Sequence, residues 1–226
     1  MSEQLERELS GLRTGAPGGL LRSVMASTAD GADRYVEIDG PRGPLLVAFN
    51  DRGISCIDAA AEGLEAFEEY FVSRFHRGLL PASEPPRGLA AALEAGGARH
   101  LEFDLRGLTE FEQAVLRKAL EIPRGEVRSY GWIAREIGRP RAVRAVGSAL
   151  GHNPLPVVIP CHRVVRSDGR IGEYALGSPM KRALLDAEGV DVDGVEQLAA
   201  SGVRFVGSDT THVFCVPTCR DARRVT

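Results

Sequence analysis

Between Arg34 and Ala60 the chain is written in short apolar segments separated by turn residues: RYVEID, then GPLLVAFNDRG, then ISCIDAA. That rhythm predicts a β-meander. AEGLEAFEEYFVSRFH follows, with Leu64, Phe67, Phe71 and Phe75 at helical spacing, so one apolar stripe packs on the small sheet. Residues 78–99 mix prolines, glycines and alanines and read as a linker with one short helix, after which HLEFDLRG reads as a strand returning to the sheet. From Leu108 the helical period takes over. Thr109 stands as an N-cap with Glu112 three residues on, the capping-box pattern. Ser129 caps a further helix through Ile137, Gly138-Arg139-Pro140 breaks it, and a second helix runs from Arg141 to about Leu150. Helix, short glycine-containing turn, helix is the helix-turn-helix arrangement. The first thirty residues show no sustained period and read as a leader.

Composition adds limits. A chain of 226 residues that is 43% hydrophobic buries a genuine core. MSEQLERELSGLRTG holds no apolar run suited to a signal peptide, and no stretch approaches the ~20 apolar residues that span a bilayer. The expectation is a cytoplasmic protein without a membrane partner, in which the four cysteines stay thiols. The net charge of −3 hides an asymmetry: residues 106–190 carry fourteen basic and nine acidic side chains, residues 1–105 ten and seventeen. A basic half suits a polyanion, although solvated charge gives the same count. The second helix of the pair sharpens this. RAVRAVGSALG carries Arg141 and Arg144 among small residues, so the face around Ala145 and Ser148 is nearly flat and allows close approach to a nucleic-acid groove; tight helix packing would use the same small residues.

Chemistry concentrates at IPCHRVV, residues 159–165. A free thiol has a pKa of about 8.5, so a nucleophilic Cys161 needs a proton acceptor. His162 is adjacent, yet consecutive side chains of an extended segment point apart, and the histidine would itself need an acid such as Glu188 to orient it. From the residues alone Cys161 is either a nucleophile or a buried thiol in a strand like Cys56.

HNPLPVVIPCHRVVRSDGRIGEY closely resembles the active-site region of the O6-alkylguanine-DNA alkyltransferases, whose signature is PCHRV. The similarity runs from FEQAVLRKALEIPRGEVRSY through RAVRAVGSALGHNP to KRALLDAEG, and more weakly from about residue 34. The resemblance implies an α+β chain: a leader (1–30), a small ribonuclease H-like sheet-and-helix domain (31–100), a mostly helical, winged helix-turn-helix-like alkyltransferase domain (101–190), and a tail (191–226). It implies that Cys161 takes the alkyl group from guanine O6 in a flipped-out nucleotide, once and irreversibly. Glu188, His162 and a water form the relay to the thiol, and Asn153 braces the turn. Tyr130 helps rotate the target phosphate, Arg144 fills the vacated stack, and Arg141, Ala145 and Ser148 share its DNA-facing surface. Tyr174, with Val164 and Pro156, walls the guanine pocket, which Leu176 narrows where many relatives carry glycine. The partner is double-stranded DNA containing O6-alkylguanine; the protein acts as a nucleoid-associated monomer and the transfer needs no cofactor.

The tail holds Cys215 and Cys219 in a C-x3-C spacing with His212 nearby, short of the four ligands usual for structural zinc. TTHVFCVPTCR resembles the start of the Ada-type zinc domain without its later cysteine pair, so it reads as a truncated remnant in which zinc is not expected. Three alternatives compete with the alkyltransferase: a non-turnover sensor of alkylated guanine, which Cys161 argues against, a helix-turn-helix transcription regulator, which leaves the thiol unexplained, and a cysteine hydrolase, for which no sequence feature supplies an oxyanion site.

Overall fold

The computed structural model describes residues 32–95, 98, 100–203, 205–207 and 214–215. The meander forms as expected: β1 (Asp33–Gly40), β2 (Gly43–Asn50) and β3 (Gly53–Ala59) pair antiparallel. β2 lies inside the sheet, and its unbroken run Leu45–Phe49 is buried because both faces are covered. Leu46 and Ala48, with Cys56 of β3, meet Phe67 and Phe71 of α1 (Gly63–Phe75), each such aromatic contributing roughly 1.5–3 kcal/mol by burial. Leu45, Val47, Ile54 and Ile57 point the other way, into a core that continues to Val146, Ile159 and Cys161.

Two expectations need correction. The fourth strand is β4 (Leu79–Pro81), parallel to β1 in the order β3-β2-β1-β4, inside the stretch read as linker. Three residues ending in proline leave little alternation to detect. Conversely, HLEFDLRG meets β3 at one bridge only, Ile54 to Phe103. Asp104 turns the chain away: its carboxylate accepts from Asn50 Nδ2 (2.7 Å), Arg77 Nη1 (2.9 Å) and Arg106 Nη2 (2.7 Å) in a buried charge cluster. Gly53 permits the approach, since a Cβ there would lie 2.3 Å from the Glu102 carbonyl oxygen. The expected short helix is α2 (Leu89–Ala95).

In the second half, α3 (Glu110–Leu120) starts at Thr109 with both bonds of the capping box present. Ser129 ends β5 (Arg128–Ser129) and caps α4 (Tyr130–Glu136) by accepting from the Trp132 N–H at 3.1 Å. Gly138, at φ 70°, turns the chain, and α5 (Val143–Gly151) begins two residues later than predicted because Arg139 and Ala142 close a turn around Pro140 and Arg141. A 3-10 turn (Cys161–Arg163) leads to β6 (Val164–Val165), parallel to β5, and then to α6 (Ser178–Ala187) and α7 (Val192–Ala200). Val206–Gly207 and Phe214–Cys215 form a short antiparallel pair, β7 and β8. The leader, His212 and Cys219 lie outside the described residues. Among the described residues no helix is long and apolar enough to cross a membrane.

The two halves touch where it matters. The Ile57 N–H donates to the Pro154 carbonyl (2.7 Å) and Arg74 Nη2 to the His152 carbonyl (3.0 Å), so the first half holds the loop that follows α5. Arg42 Nη2 reaches the Ala183 carbonyl of α6 at 2.8 Å.

Candidate active site

PVVIPC is not a strand. Residues 154–161 fold into tight turns, with the Val158 N–H on the Pro156 carbonyl (2.9 Å) and the Cys161 N–H on the Ile159 carbonyl (2.7 Å). Val157 is held at φ 71°, a sparsely populated conformation for a β-branched residue. Such strain persists only where the surroundings over-determine it, and here Asn153 does so. Its Nδ2 donates to the Ile159 carbonyl (3.3 Å) and to Cys161 Sγ (3.0 Å), while its Oδ1 accepts from the Leu155 N–H (3.0 Å).

Cys161 opens the 3-10 turn and is 4% exposed. The turn sends His162 away from the thiol's own position and into contact with Glu188, at the C-terminal end of α6: Nε2 to Oε1 is 3.1 Å. A carboxylate only accepts, so Nε2 carries the ring proton and Nδ1 presents its lone pair, buried and with no hydrogen-bond partner in the protein. Burial lowers the His162 pKa, helped by the Arg163 and Lys181 charges and opposed by Glu188, which keeps the ring neutral and basic. Burial alone would push Glu188 up, but hydrogen bonds from His162 and Arg163 outweigh it and pull the pKa down to about 2. Arg163, missed in the sequence, is the stronger partner: Nε and Nη2 fork onto the two Glu188 oxygens at 2.8 and 2.7 Å while Nη1 holds the Ile122 carbonyl at 2.7 Å. Burial raises the Cys161 pKa, and the Asn153 amide and the Lys181 charge oppose the rise.

The thiol opens on a cavity of about 150 Å³, the volume of about five waters, bounded by Tyr130, Gly147, Leu150, Gly151, Glu173, Tyr174 and Ala175. Tyr174 sets its ring edge-on to His162, with centroids 6.2 Å apart, and its buried hydroxyl has no partner within hydrogen-bonding geometry. Of the expected pocket residues, Val164 and Pro156 do not line this cavity: Val164 is a fully buried strand residue and the Pro156 carbonyl closes the turn at Val157. Leu176 does not narrow it either. It lines a separate 20 Å³ void with Pro41, Pro44, Val157, Met180 and Leu184, where the β1–β2 turn meets α6. Gly147, Leu150 and Gly151 lie in the small-residue run of α5 but were not singled out in the sequence. A larger cavity of about 750 Å³ lies between the β1–β2 turn and α2 and holds neither thiol nor histidine.

On α5, Arg141 precedes the helix, and Arg144, Ala145 and Ser148 are exposed along one side while Val146, Ala149 and Leu150 are buried on the other. Tyr130, at the first turn of α4, joins this exposed face to the thiol cavity. Among the described residues no group of three or more His, Cys, Asp or Glu side chains is placed to hold a metal ion.

An exposed helix beside a buried, amide-braced thiol defines a class, and the family comparison agrees with it: residues 110–190 match the family model described as 6-O-methylguanine DNA methyltransferase, DNA binding domain. A methylated-DNA--protein-cysteine methyltransferase of Mycobacterium bovis is 43% identical over 160 residues, covering 68% of this chain and 91% of that protein. One from Methanosarcina barkeri is 39% identical over 163 residues, covering 68% and 96%. The crystal structure of Mycobacterium tuberculosis OGT in complex with DNA superposes with a TM-score of 0.57 at 39% identity, covering 69% of this chain and 92% of that one. The chain belongs to the methylated-DNA--protein-cysteine methyltransferase family.

Proposed function

We propose that this protein repairs double-stranded DNA by moving the alkyl group of O6-alkylguanine onto Cys161, in one irreversible step per molecule. The observation that carries the reading is the thiol itself: buried, held by the Asn153 amide at 3.0 Å, followed by a neutral histidine on an ionised glutamate, and open to a cavity between two tyrosines. Glu188 fixes His162, whose Nδ1 takes the thiol proton through a bridging water. The thiolate attacks the alkyl carbon; the S–C bond forms, the C–O6 bond breaks, and guanine leaves with the electron pair and is then protonated. Tyr174 is placed to donate to the departing base. Nucleophile and proton acceptor are both side chains, so the reaction requires no cofactor.

A base stacked in a duplex is out of reach of a thiol this deeply buried, which requires flipping. The exposed face of α5 lies against the DNA, Arg144 fills the vacated stack, Arg141, Ala145 and Ser148 line the groove, and Tyr130 turns the target phosphate. Finer assignments rest on the family resemblance: a ribonuclease H-like domain over 31–100, a winged helix-turn-helix-like alkyltransferase domain over 101–190, a leader over 1–30, a tail over 191–226 that resembles the start of the Ada-type zinc domain, and action as a cytoplasmic monomer. The test is incubation with a duplex containing O6-methylguanine followed by peptide mapping. One methyl on the Cys161 peptide is expected, and an unmodified Cys161 in protein that binds the duplex refutes the reading.

A further inference from the structure

Lys181 falls in the apolar stripe of α6 with Leu184 and Leu185 and is 0% exposed. Lysine is almost never fully buried unless its charge is paired. Here Nζ donates to the carbonyls of Val164 (2.6 Å) and Glu173 (3.2 Å) and lies 5.9 Å from the centre of the Tyr130 ring; among the described residues it has no carboxylate within ion-pair distance. The two carbonyls belong to the strand leaving the thiol turn and to the cavity wall. A neutral amide would tie them together at far lower desolvation cost, so tying alone does not account for an ammonium.

What an unpaired buried cation offers is a field, and Glu173 and Tyr130, the residues it meets, wall the same cavity as Cys161, the group that must become an anion. We infer that Lys181 supplies the fixed positive charge that lets the buried Cys161 thiol ionise. It is a positioning residue that acts through the thiolate and does not touch the alkyl group, and the inference rests on Cys161 being the nucleophile.

The other charges near the thiol do not supply this. Arg163 is spent on Glu188, and Arg166, beside Tyr130, is exposed and paired with Asp168. Neutral His162 and the Tyr130 and Tyr174 hydroxyls carry no positive charge, and the exposed Glu173 carboxylate opposes a thiolate. Burial lowers the Lys181 pKa to about 8, with Cys161 and Glu173 opposing, so the ammonium is held through neutral pH. During transfer Lys181 keeps its proton; the thiol proton goes to His162, and the electron pair of the C–O6 bond leaves with guanine.

The test separates charge from tying. Lys181→Gln keeps a donor without the charge, and Lys181→Arg keeps the charge. The readouts are the pH dependence of Cys161 carbamidomethylation by iodoacetamide, which needs no DNA, and single-turnover transfer from an O6-methylguanine duplex. The thiol midpoint of Lys181→Gln is expected to rise by about one pH unit or more, with transfer at neutral pH slowed about tenfold in step, while Lys181→Arg stays near the native midpoint. A Lys181→Gln midpoint equal to the native one overturns the inference even if transfer is slowed. If Lys181→Gln does not fold, Lys181→Arg decides, because arginine holds its charge across the range; a midpoint displaced upward in that variant overturns the inference. Failure of native protein to accept a methyl group, with the midpoint shift intact, would instead count against the repair reading.

Discussion

Two cysteines in this chain are buried equally well and do opposite things. Cys56 is 0% exposed in the middle of β3, between the sheet and Phe67 and Phe71 of α1; Cys161 is 4% exposed at the start of a 3-10 turn. Burial raises both thiol pKa values. At Cys56 the nearby Asp58 carboxylate pushes the same way, and Arg74 only partly offsets it. At Cys161 an amide donor and a buried ammonium push back, and a histidine stands next in the chain with a free nitrogen. Burial therefore does not separate a packed thiol from a reactive one; the sign of what was buried alongside it does.

The sharpest way to break this comparison is to remove each thiol. Cys161→Ser is expected to abolish methyl transfer, whereas Cys56→Ala keeps the rate within about twofold while costing about 1–2 kcal/mol of stability, read by single-turnover assay and by denaturant unfolding. Transfer lost through Cys56→Ala in folded protein would reverse the assignment. Next in size is Glu188→Gln. Loss of the acid that orients His162 slows transfer about 10²-fold, and leaving the buried Arg163 guanidinium without its counter-charge costs about 3 kcal/mol. A slowed variant of native stability would show that Arg163 does not depend on Glu188.

Acid titration gives a graded version of the same test. The folded Glu188 pKa, about 2, lies below the ordinary carboxyl value of 4.5, so its stabilisation is complete above that value and fades as pH falls from there toward 2. Glu188→Gln should flatten that part of the stability profile. His162, lowered by burial, stays neutral below the ordinary histidine value of about 6.5, so its own imidazole titration, followed by NMR, should centre below that pH; a midpoint above it contradicts the neutral-histidine picture. The smallest effect belongs to the DNA face. On the proposal that Arg144 fills the vacated stack, Arg144→Ala should slow repair of duplex about tenfold and leave carbamidomethylation of Cys161 unchanged, because the residue is exposed on α5.

Patterns that are local in the chain were legible in the sequence. The meander, the stripe of α1, the Thr109 box and the Ser129 cap each need only a few neighbouring residues. β4 was not legible, since three residues carry no period, and neither was the departure of residues 100–107 from the sheet, which depends on Asp104 finding Arg77 and Asn50 from distant segments. At the site, His162 and Glu188 were candidates from the residues and Asn153 from the family resemblance; the structure pairs His162 with Glu188 and Asn153 with Cys161. Arg163 was passed over although it sits inside PCHRV, because its role depends on a carboxylate 25 residues away. Lys181 did leave a signal: a cation at i, i+3 and i+4 spacing with Leu184 and Leu185, on the face that should be apolar. Leu176 misled, because its direction is set by the β1–β2 turn packing on α6.

The most direct measurement is a titration of the protein with increasing amounts of a duplex carrying one isotopically labelled O6-methylguanine, followed by intact mass and peptide mapping. The account predicts uptake that rises one for one and stops at a single methyl per protein molecule, all of it on the peptide containing Cys161 and none on Cys56. Continued turnover past one equivalent, or label at Cys56 or at no cysteine, would contradict it.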